Sequence, residues 1–398
     1  LSHRGVELSV AFIDDERSVG RFDLAPLKTV TASSVKSAID KIVAVLSTPG
    51  PAKPKSGRKV DPKPRPDARA KPSPLAGKGP AGGSDISVLI LGGGEVIPYF
   101  KLSNPAFDSN DSVFSDNPYG CPPGVSSADK SLLPERPVGR MPDGNGRSIQ
   151  LLLTQVETAS KFTGPFSADR ISPQKCACGY TAAVWKKASR QVWQDIGFGG
   201  SLKVCPPLSQ GDVTRAWFDR KSFLYFNLHG SESQPYWFGQ NGAGFPTALS
   251  PASVSRFCRE KSMVMTEACY GAIETGRKSE TSISLAFLSS GSVCFLGSTC
   301  IAYGAFAPPV SEADLIALNF FRNVHKGMAF GKALVKARAQ LAALAVSRQG
   351  YLDEDDRKTL LQFVLFGDPT LSIPPFSLGS GEDAKDTQSS KGFKKERG

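Results

Sequence analysis

Short runs of uninterrupted apolar residues recur along the second half of the chain. They fall at Phe223–Asn227 (FLYFN), Met263–Thr266 (MVMT) and Val293–Leu296 (VCFL). A strand that is apolar on both faces has no solvent side, so each run predicts a strand covered above and below. Between and after them the apolar period lengthens to that of a helix, most extensively over Glu312–Arg322 and Phe330–Leu344. A last strand-like run, VLF at 364–366, leads into Gly367-Asp368-Pro369, and residues 377–398 read as a polar tail.

The first half carries the same rhythm with interruptions. Val6–Ile13 (VELSVAFI) reads as a strand. Thr31–Leu46 reads as a helix, with Val35, Ala38, Ile39, Ile42, Val43 and Leu46 on one face and Ser33 or Ser34 as its cap. Residues 48–84 form a linker or insertion, with eight prolines between 51 and 80 and no apolar pattern. Ile86–Leu91 is the next strand, followed by Gly92-Gly93-Gly94. These glycines lack the spacing of a dinucleotide loop and no Gly-Lys-Ser/Thr follows, so a tight turn is predicted there. Residues 103–145 are rich in loops, and helices are predicted at about Ser148–Lys161 and through Ala182–Gln194.

Short buried strands alternating with helices predict a mainly parallel sheet sandwiched between helical layers. In such sheets, ligands bind beyond the carboxyl ends of the strands. Two of those ends carry reactive side chains. FLYFN is followed by Leu228-His229-Gly230-Ser231, and MVMT by Glu267-Ala268-Cys269-Tyr270. The pair lies forty positions apart, room for one crossover connection between parallel strands.

Bulk composition narrows the choice further. The 398 residues are 40% hydrophobic and 21% charged, ordinary for a globular chain with a large core. No apolar run is long enough to cross a membrane. The sequence opens at Leu1 rather than Met, which leaves the compartment open. The formal charge of +11 invites a nucleic-acid reading, but residues 51–80 alone hold nine Lys/Arg against two Asp, leaving +4 for the rest. That segment has no interleaved aromatics on which bases would stack, so no nucleic-acid partner is expected. The eight cysteines are scattered, and Cys176-Ala-Cys178 without a second pair is a weak metal signal. No metal site follows from the spacing, and most of the thiols are expected in the core.

Cys269 and His229 stand apart because they suit each other chemically. A thiolate attacks carbonyl carbon well, but a free thiol is mostly protonated at neutral pH. A neighbouring imidazole can take that proton or give one to a leaving amine. Gly230 leaves its N–H open to a substrate oxygen, and with the Cys269 N–H it would form an oxyanion hole. The other histidines are worse placed: His3 is near the start of the sequence and His325 sits where a helix ends. Taken singly, a cysteine after a strand is a small buried residue and a histidine beside glycine is a turn. Their conjunction at two strand ends is what points to catalysis.

At these residues the sequence resembles the gingipain family, within the clan of caspase, legumain and clostripain peptidases. The resemblance rests on His229-Gly230-Ser231-Glu232 with Trp237, Ala268-Cys269, Arg4-Gly5-Val6-Glu7, SVLILGGGEVIP (87–98), Ser115–Gly120, Val138-Gly139-Arg140 and Phe366–Leu371. It implies a caspase-like three-layer α/β sandwich with a mainly parallel sheet and two side-by-side lobes. The first would span residues 1–165, including the basic insertion, and the catalytic lobe 166–376. It also implies a cysteine endopeptidase acting on protein or peptide substrates. The compartment is unknown, with an extracytoplasmic or secreted setting the expectation. No cofactor is implied, although structural calcium is common in that family.

Arginine-specific members place an acid about 48 positions before the histidine. Here that neighbourhood is Tyr180-Thr181-Ala182. Glu267 instead occupies a position that lines the primary pocket in this clan, and it would favour Lys, Arg or Asn there. Trp237, Tyr303 and Phe306 are the other expected pocket residues. A silent pseudo-peptidase used as a binding module, and a transpeptidase sharing the same acyl-enzyme, are the competing readings.

Overall fold

The computed structural model describes residues 7–47, 86–163, 176–200, 202–258 and 261–375. The insertion at 48–84, the tail at 377–398, His3 and the expected boundary at 165 lie outside them. The first half supplies strands β1 (Val88–Leu91), β2 (Phe100–Ser103), β3 (Ser112–Ser115) and β4 (Val138–Met141). The second supplies β5 (Ala177–Ala182), β6 (Lys203–Cys205), β7 (Phe223–Asn227), β8 (Trp237–Phe238), β9 (Thr247–Leu249), β10 (Met263–Thr266), β11 (Cys294–Ser298) and β12 (Phe363–Gly367). Among the helices, α1 (Glu16–Gly20), α2 (Ala32–Ser47), α3 (Asn117–Gly120) and α4 (Ile149–Ser160) precede β5. The rest are α5 (Lys186–Ile196), α6 (Pro251–Phe257), α7 (Ile283–Ser289), α8 (Glu312–His325), α9 (Phe330–Gln349) and α10 (Glu354–Gln362).

Eight strands join in one sheet, in the order β1-β4-β12-β11-β10-β7-β5-β6. The five from β11 to β6 are mutually parallel, and so are β1, β4 and β12; the single antiparallel pairing, β11 with β12, joins the two blocks. The last described strand therefore lies inside the sheet, between strands from both halves. Side chains alternate across it as the pleat requires. Phe223, Tyr225, Met263, Met265, Cys294 and Leu296 face the layer built on α5, α8 and α9. Leu224, Phe226, Val264 and Phe295 face α6 and α7. With helices on both faces this is the expected three-layer sandwich. Burial of each large side chain contributes about 1.5–3 kcal/mol.

Several expectations need correction. Residues 7–13 form no strand, and Leu8, Val10 and Phe12 face solvent. Their backbone is used locally: the Phe12 N–H donates to Ser18 Oγ and the Ile13 carbonyl accepts from the Leu27 N–H. Helix α2 is capped by Thr31 rather than Ser33 or Ser34. The Thr31 Oγ1 accepts the Ser34 N–H, while Ser34 Oγ accepts the Thr31 N–H. The segment expected to begin a helix at Ala182 is first the buried strand β5, and the helix starts only at Lys186.

Three of the quoted sequence segments meet at Arg140. Its fully buried guanidinium donates to both oxygens of Asp116 at 2.9 and 2.6 Å, and to the carbonyls of Gly92 and Ile97. It also lies 4.1 Å from the Tyr99 ring centre. The glycine turn is tied down in turn, with the Gly93 N–H on Asp143 and the Gly94 N–H on Glu274, so both donors serve the protein's own carboxylates. Arg140→Met would leave Asp116 buried without its partner. It is expected to cost about 3–5 kcal/mol, read as a lower urea midpoint at neutral pH.

Candidate functional site

Strands β7 and β10 are parallel neighbours, with Phe226 opposite Thr266. Three residues beyond that pair the chain reaches His229 on one side and Cys269 on the other. The ladder runs one bond further, from the Glu267 N–H to the Phe226 carbonyl at 2.9 Å, and fixes the two loops relative to each other. They are so close that a Cβ on Gly230 would lie 1.8 Å from the Cys269 carbonyl oxygen. Only glycine fits at 230. Among the described residues, neither the Gly230 nor the Cys269 N–H is taken by a backbone acceptor.

Cys269 is the only one of the eight cysteines that is not buried, and all eight are free thiols. Its Sγ lies 3.4 Å from the Ala302 N–H nitrogen and 3.6 Å from the Ala302 carbonyl oxygen. Burial pushes the thiol above its ordinary value, while the Ala302 N–H and Lys358 pull against that rise. The next residue, Tyr270, has φ of 54°, a left-handed conformation that a non-glycine residue keeps only when its neighbours hold it. Here the Tyr270 N–H donates to the Cys300 carbonyl and the Tyr270 hydroxyl accepts from Asn110 Nδ2.

His229 is fixed by its backbone, which exchanges two hydrogen bonds of 2.9 Å with Phe238. Its ring lies between Trp185, with centres 4.2 Å apart, and Phe245, 5.3 Å away. The ring Nε2 pairs with Gln240 Oε1 at 2.7 Å, which leaves Nδ1 as the proton-accepting nitrogen. Burial lowers the imidazole pKa, and the Gln240 bond opposes that. Both shifts favour the neutral forms, a protonated thiol and an unprotonated imidazole, over an ion pair. His325, by contrast, closes α8 and is buried against Phe198 and Phe223.

The Glu267 side chain points away from solvent, 6% exposed, and its Oε1 accepts from the Tyr225 hydroxyl at 2.7 Å. Beside it lies Asp314, fully buried in the first turn of α8, whose Oδ2 accepts the Ala305 N–H. Glu267 Oε2 and Asp314 Oδ1 have no hydrogen-bond partner. Burial raises both carboxyls, Asp314 to about 6 and Glu267 well above its ordinary value; the neighbouring Asp314 raises Glu267 further, whereas Glu267 lowers Asp314, so Asp314 ionises first. Above them passes the loop from Ala302, which touches Cys269, to Ala305. At its exposed Gly304 even a Cβ would sit 3.4 Å from Asp314 Oδ2 and 3.7 Å from Glu267 Oε2. A paired acid therefore lies under a glycine one loop away from the thiol.

The other expected pocket residues separate. Phe306 is 67% exposed on the same loop. Tyr303 is half-buried, its hydroxyl donated to Asp108. Trp237 leaves the pocket: it is 4% exposed and packs on Phe226 in the core, because the β8–β9 hairpin turns it inward. Tyr180 and Thr181 lie buried in β5, not in a helix. Gln240 and Asp314 were not singled out in the sequence. Asp314 reads there as an ordinary acid of a helix's first turn, and nothing distinguishes Gln240. Among the described residues no group of three or more His, Cys, Asp or Glu is placed to hold a metal ion, so the calcium implied by resemblance has no nominated ligands. No helix there is long and apolar enough to cross a membrane.

A thiol and an imidazole thus stand just past the carboxyl ends of adjacent parallel strands of a three-layer α/β sandwich. Peptidase family C25 matches residues 80–374, and the chain belongs to that family. Residues before 80 fall outside the match, in keeping with the missing first strand. Among solved structures, one described as a protease is similar at 13% identity and a TM-score of 0.53, over 86% of this chain and 70% of that one. The Arg-specific cysteine proteinase gingipain R is similar at 17% identity and a TM-score of 0.49, over 72% of this chain. The present chain spans 64% of the length of that gingipain. A complex of the Porphyromonas gingivalis RgpB pro- and mature domains is similar at 17% identity and a TM-score of 0.48, over 74% of this chain and 67% of that one. Comparison with curated protein sequences returned no match.

Proposed function

We propose that the protein is a cysteine endopeptidase working through a Cys269–His229 dyad, with a primary pocket for a basic side chain. The observation that carries the dyad is the interlocking of its two loops at Gly230 and Cys269. Cys269 Sγ attacks the scissile carbonyl carbon, and its proton passes to His229 Nδ1. The carbonyl oxygen gathers the charge and is held by the Gly230 and Cys269 N–H groups, a contribution of roughly 3–4 kcal/mol per donor. As the C–N bond breaks, His229 gives its proton to the departing amine. Water, activated by the now neutral His229, then cleaves the thioester. Gln240, bonded to Nε2, fixes the tautomer in which Nδ1 is the accepting nitrogen.

The pocket preference is argued from Glu267 and Asp314. Two buried carboxyls with one unpartnered oxygen each share a proton when the pocket is empty. A lysine or arginine side chain entering beside Gly304 would replace that proton. Its binding is favoured as Asp314 ionises and is lost as pH falls through about 6. The protonated pair, one donor and one acceptor, suits an asparagine amide instead.

Electrophilic peptide probes carrying Arg, Lys, Asn or Asp before the reactive carbonyl test this directly. Labelling of Cys269 with preference for Arg or Lys, growing between about pH 5 and 7.5, is expected. Glu267→Gln and Asp314→Asn should each cut the basic preference by roughly 10- to 100-fold, about 1.5–3 kcal/mol for a charge-assisted bond. An unchanged preference in both variants would remove the pocket assignment and leave the dyad standing. No labelling by any probe would favour the silent scaffold. Products joined to added amines would favour a transpeptidase.

A further inference from the structure

Lys358, from α10, has no solvent-exposed side-chain surface, although it is a lysine. Its ammonium meets Asp108 Oδ2 in an ion pair and Asn110 Oδ1 at 2.9 Å. Both partners come from the loop between β2 and β3, in the first half of the chain. From that loop contacts fan out to the nucleophile's surroundings. Asn110 Nδ2 donates to the Tyr270 hydroxyl at 2.7 Å, and Asn110 Oδ1 accepts the Ile301 N–H at 3.0 Å. Asp108 accepts the Tyr303 hydroxyl, and the Tyr303 ring centre lies 5.4 Å from the ammonium. Tyr270 follows Cys269 directly, and Ile301 and Tyr303 flank Ala302, which touches Sγ. Burial acts to raise the Asp108 carboxyl, but the Lys358 and Tyr303 hydrogen bonds outweigh it and hold the group below its ordinary value.

We propose that Lys358, acting through Asp108 and Asn110, is the positioning residue of the Cys269 site, clamping the segments on both sides of the thiol and supplying its fixed positive charge. Asp108, its ion-pair partner, opposes that charge by raising the thiol, more weakly than Lys358 lowers it. The titratable groups facing Cys269 are Lys358, Asp108, the Cys300 thiol and the Tyr270 and Tyr303 phenols, with His229 on the neighbouring strand end. Of these, Lys358 is the side chain whose charge favours the sulfur's anionic form. The clamp also accounts for the left-handed Tyr270, whose hydroxyl Asn110 holds in place. The proposal rests on the peptidase reading only for the role of Cys269.

The test is the pH dependence of Cys269 alkylation by iodoacetamide, followed by mass spectrometry on the full chain. This reaction needs no peptide substrate, so it stays readable if the peptidase assignment fails. Lys358→Met is expected to slow alkylation at pH 7 by roughly 3- to 10-fold and to move the midpoint upward. Lys358→Arg, which keeps the charge, should bring the midpoint back toward that of the wild type. A folded Lys358→Met protein with an unchanged midpoint would overturn the electrostatic role. Should that variant fail to fold, Asn110→Ala keeps the Lys358–Asp108 ion pair and removes the Asn110 side-chain links to Lys358, Tyr270 and Ile301. It should lower kcat by roughly tenfold with KM within about twofold, and an unaltered kcat would overturn the clamp.

Discussion

Peptide hydrolysis by the Cys269→Ala protein is expected to fall by roughly four orders of magnitude or more, with His229→Ala losing about 10²–10⁴-fold. The two losses should not add, because one proton serves both groups in turn. The neutral starting state adds a second, more discriminating expectation. Burial lowers the His229 pKa and raises that of the Cys269 thiol, so the two titrations are pushed apart. The form with thiol protonated and imidazole neutral then fills the whole neutral range. For a substrate with a neutral side chain in the pocket, kcat/KM should be flat there. It should decline only below the ordinary histidine range, as His229 takes up a proton. A preformed thiolate–imidazolium pair would behave differently, with its acid limb set by a depressed thiol pKa. A pH–rate profile with an acid limb near the low values typical of such pairs, about 3–4, would contradict the geometry described.

Gly230→Ala is the second large effect. The added methyl would be placed 1.8 Å from the Cys269 carbonyl oxygen and 2.9 Å from its carbon, both backbone atoms, so no side-chain rotation relieves the clash. One of the two strand-end loops has to move. Since the Gly230 N–H is an expected oxyanion donor, its displacement alone should cost about 10²–10³-fold in kcat. Distortion of the Cys269 backbone would add to that. Melting temperature and kcat/KM measured together separate the two contributions. Gly20→Ala serves as the control, since nothing lies within 4 Å of its added Cβ. An active, unaltered Gly230→Ala enzyme would mean that the two loops stand further apart than described.

The strands that could be read from the sequence were those filled with large apolar side chains. FLYFN and MVMT stand where expected because nothing but a buried parallel strand accommodates them. Strand β5 escaped, and packing explains why. A Cβ on Gly179 would meet the Trp193 ring at 2.6 Å and Leu202 at 2.5 Å, so close approach of α5 demands small residues where a strand pattern wants large ones. The error at 7–13 was the converse. Leu8, Val10 and Phe12 alternate as a strand should, but alternation says nothing about whether a sheet edge is there to receive them. At the candidate site, the sequence places Cys269, His229 and Gly230 just beyond two strand ends, and the structure brings their two loops together there. Asp314, Gln240, Asn110 and Lys358 were not legible in the sequence. Each acts by meeting a residue distant in sequence, and an isolated polar residue in a loop or helix turn carries no mark of its future partner. Trp237 was misassigned because adjacency to the histidine loop cannot tell which way a hairpin turns its side chain.

The placement of β12 between β4 and β11 has a consequence for how the protein comes into being on the ribosome. Synthesis proceeds from the amino end, so both flanking strands emerge before the strand that joins them. Until residues 363–367 arrive, β4 and β11 each present an unsatisfied edge, the kind that invites pairing with the wrong partner. Lys358 and its helix emerge in the same late stretch, so the clamp around Cys269 closes at that same moment. A nascent chain thus lacks the join between its two blocks of parallel strands until residues 363–367 have been translated.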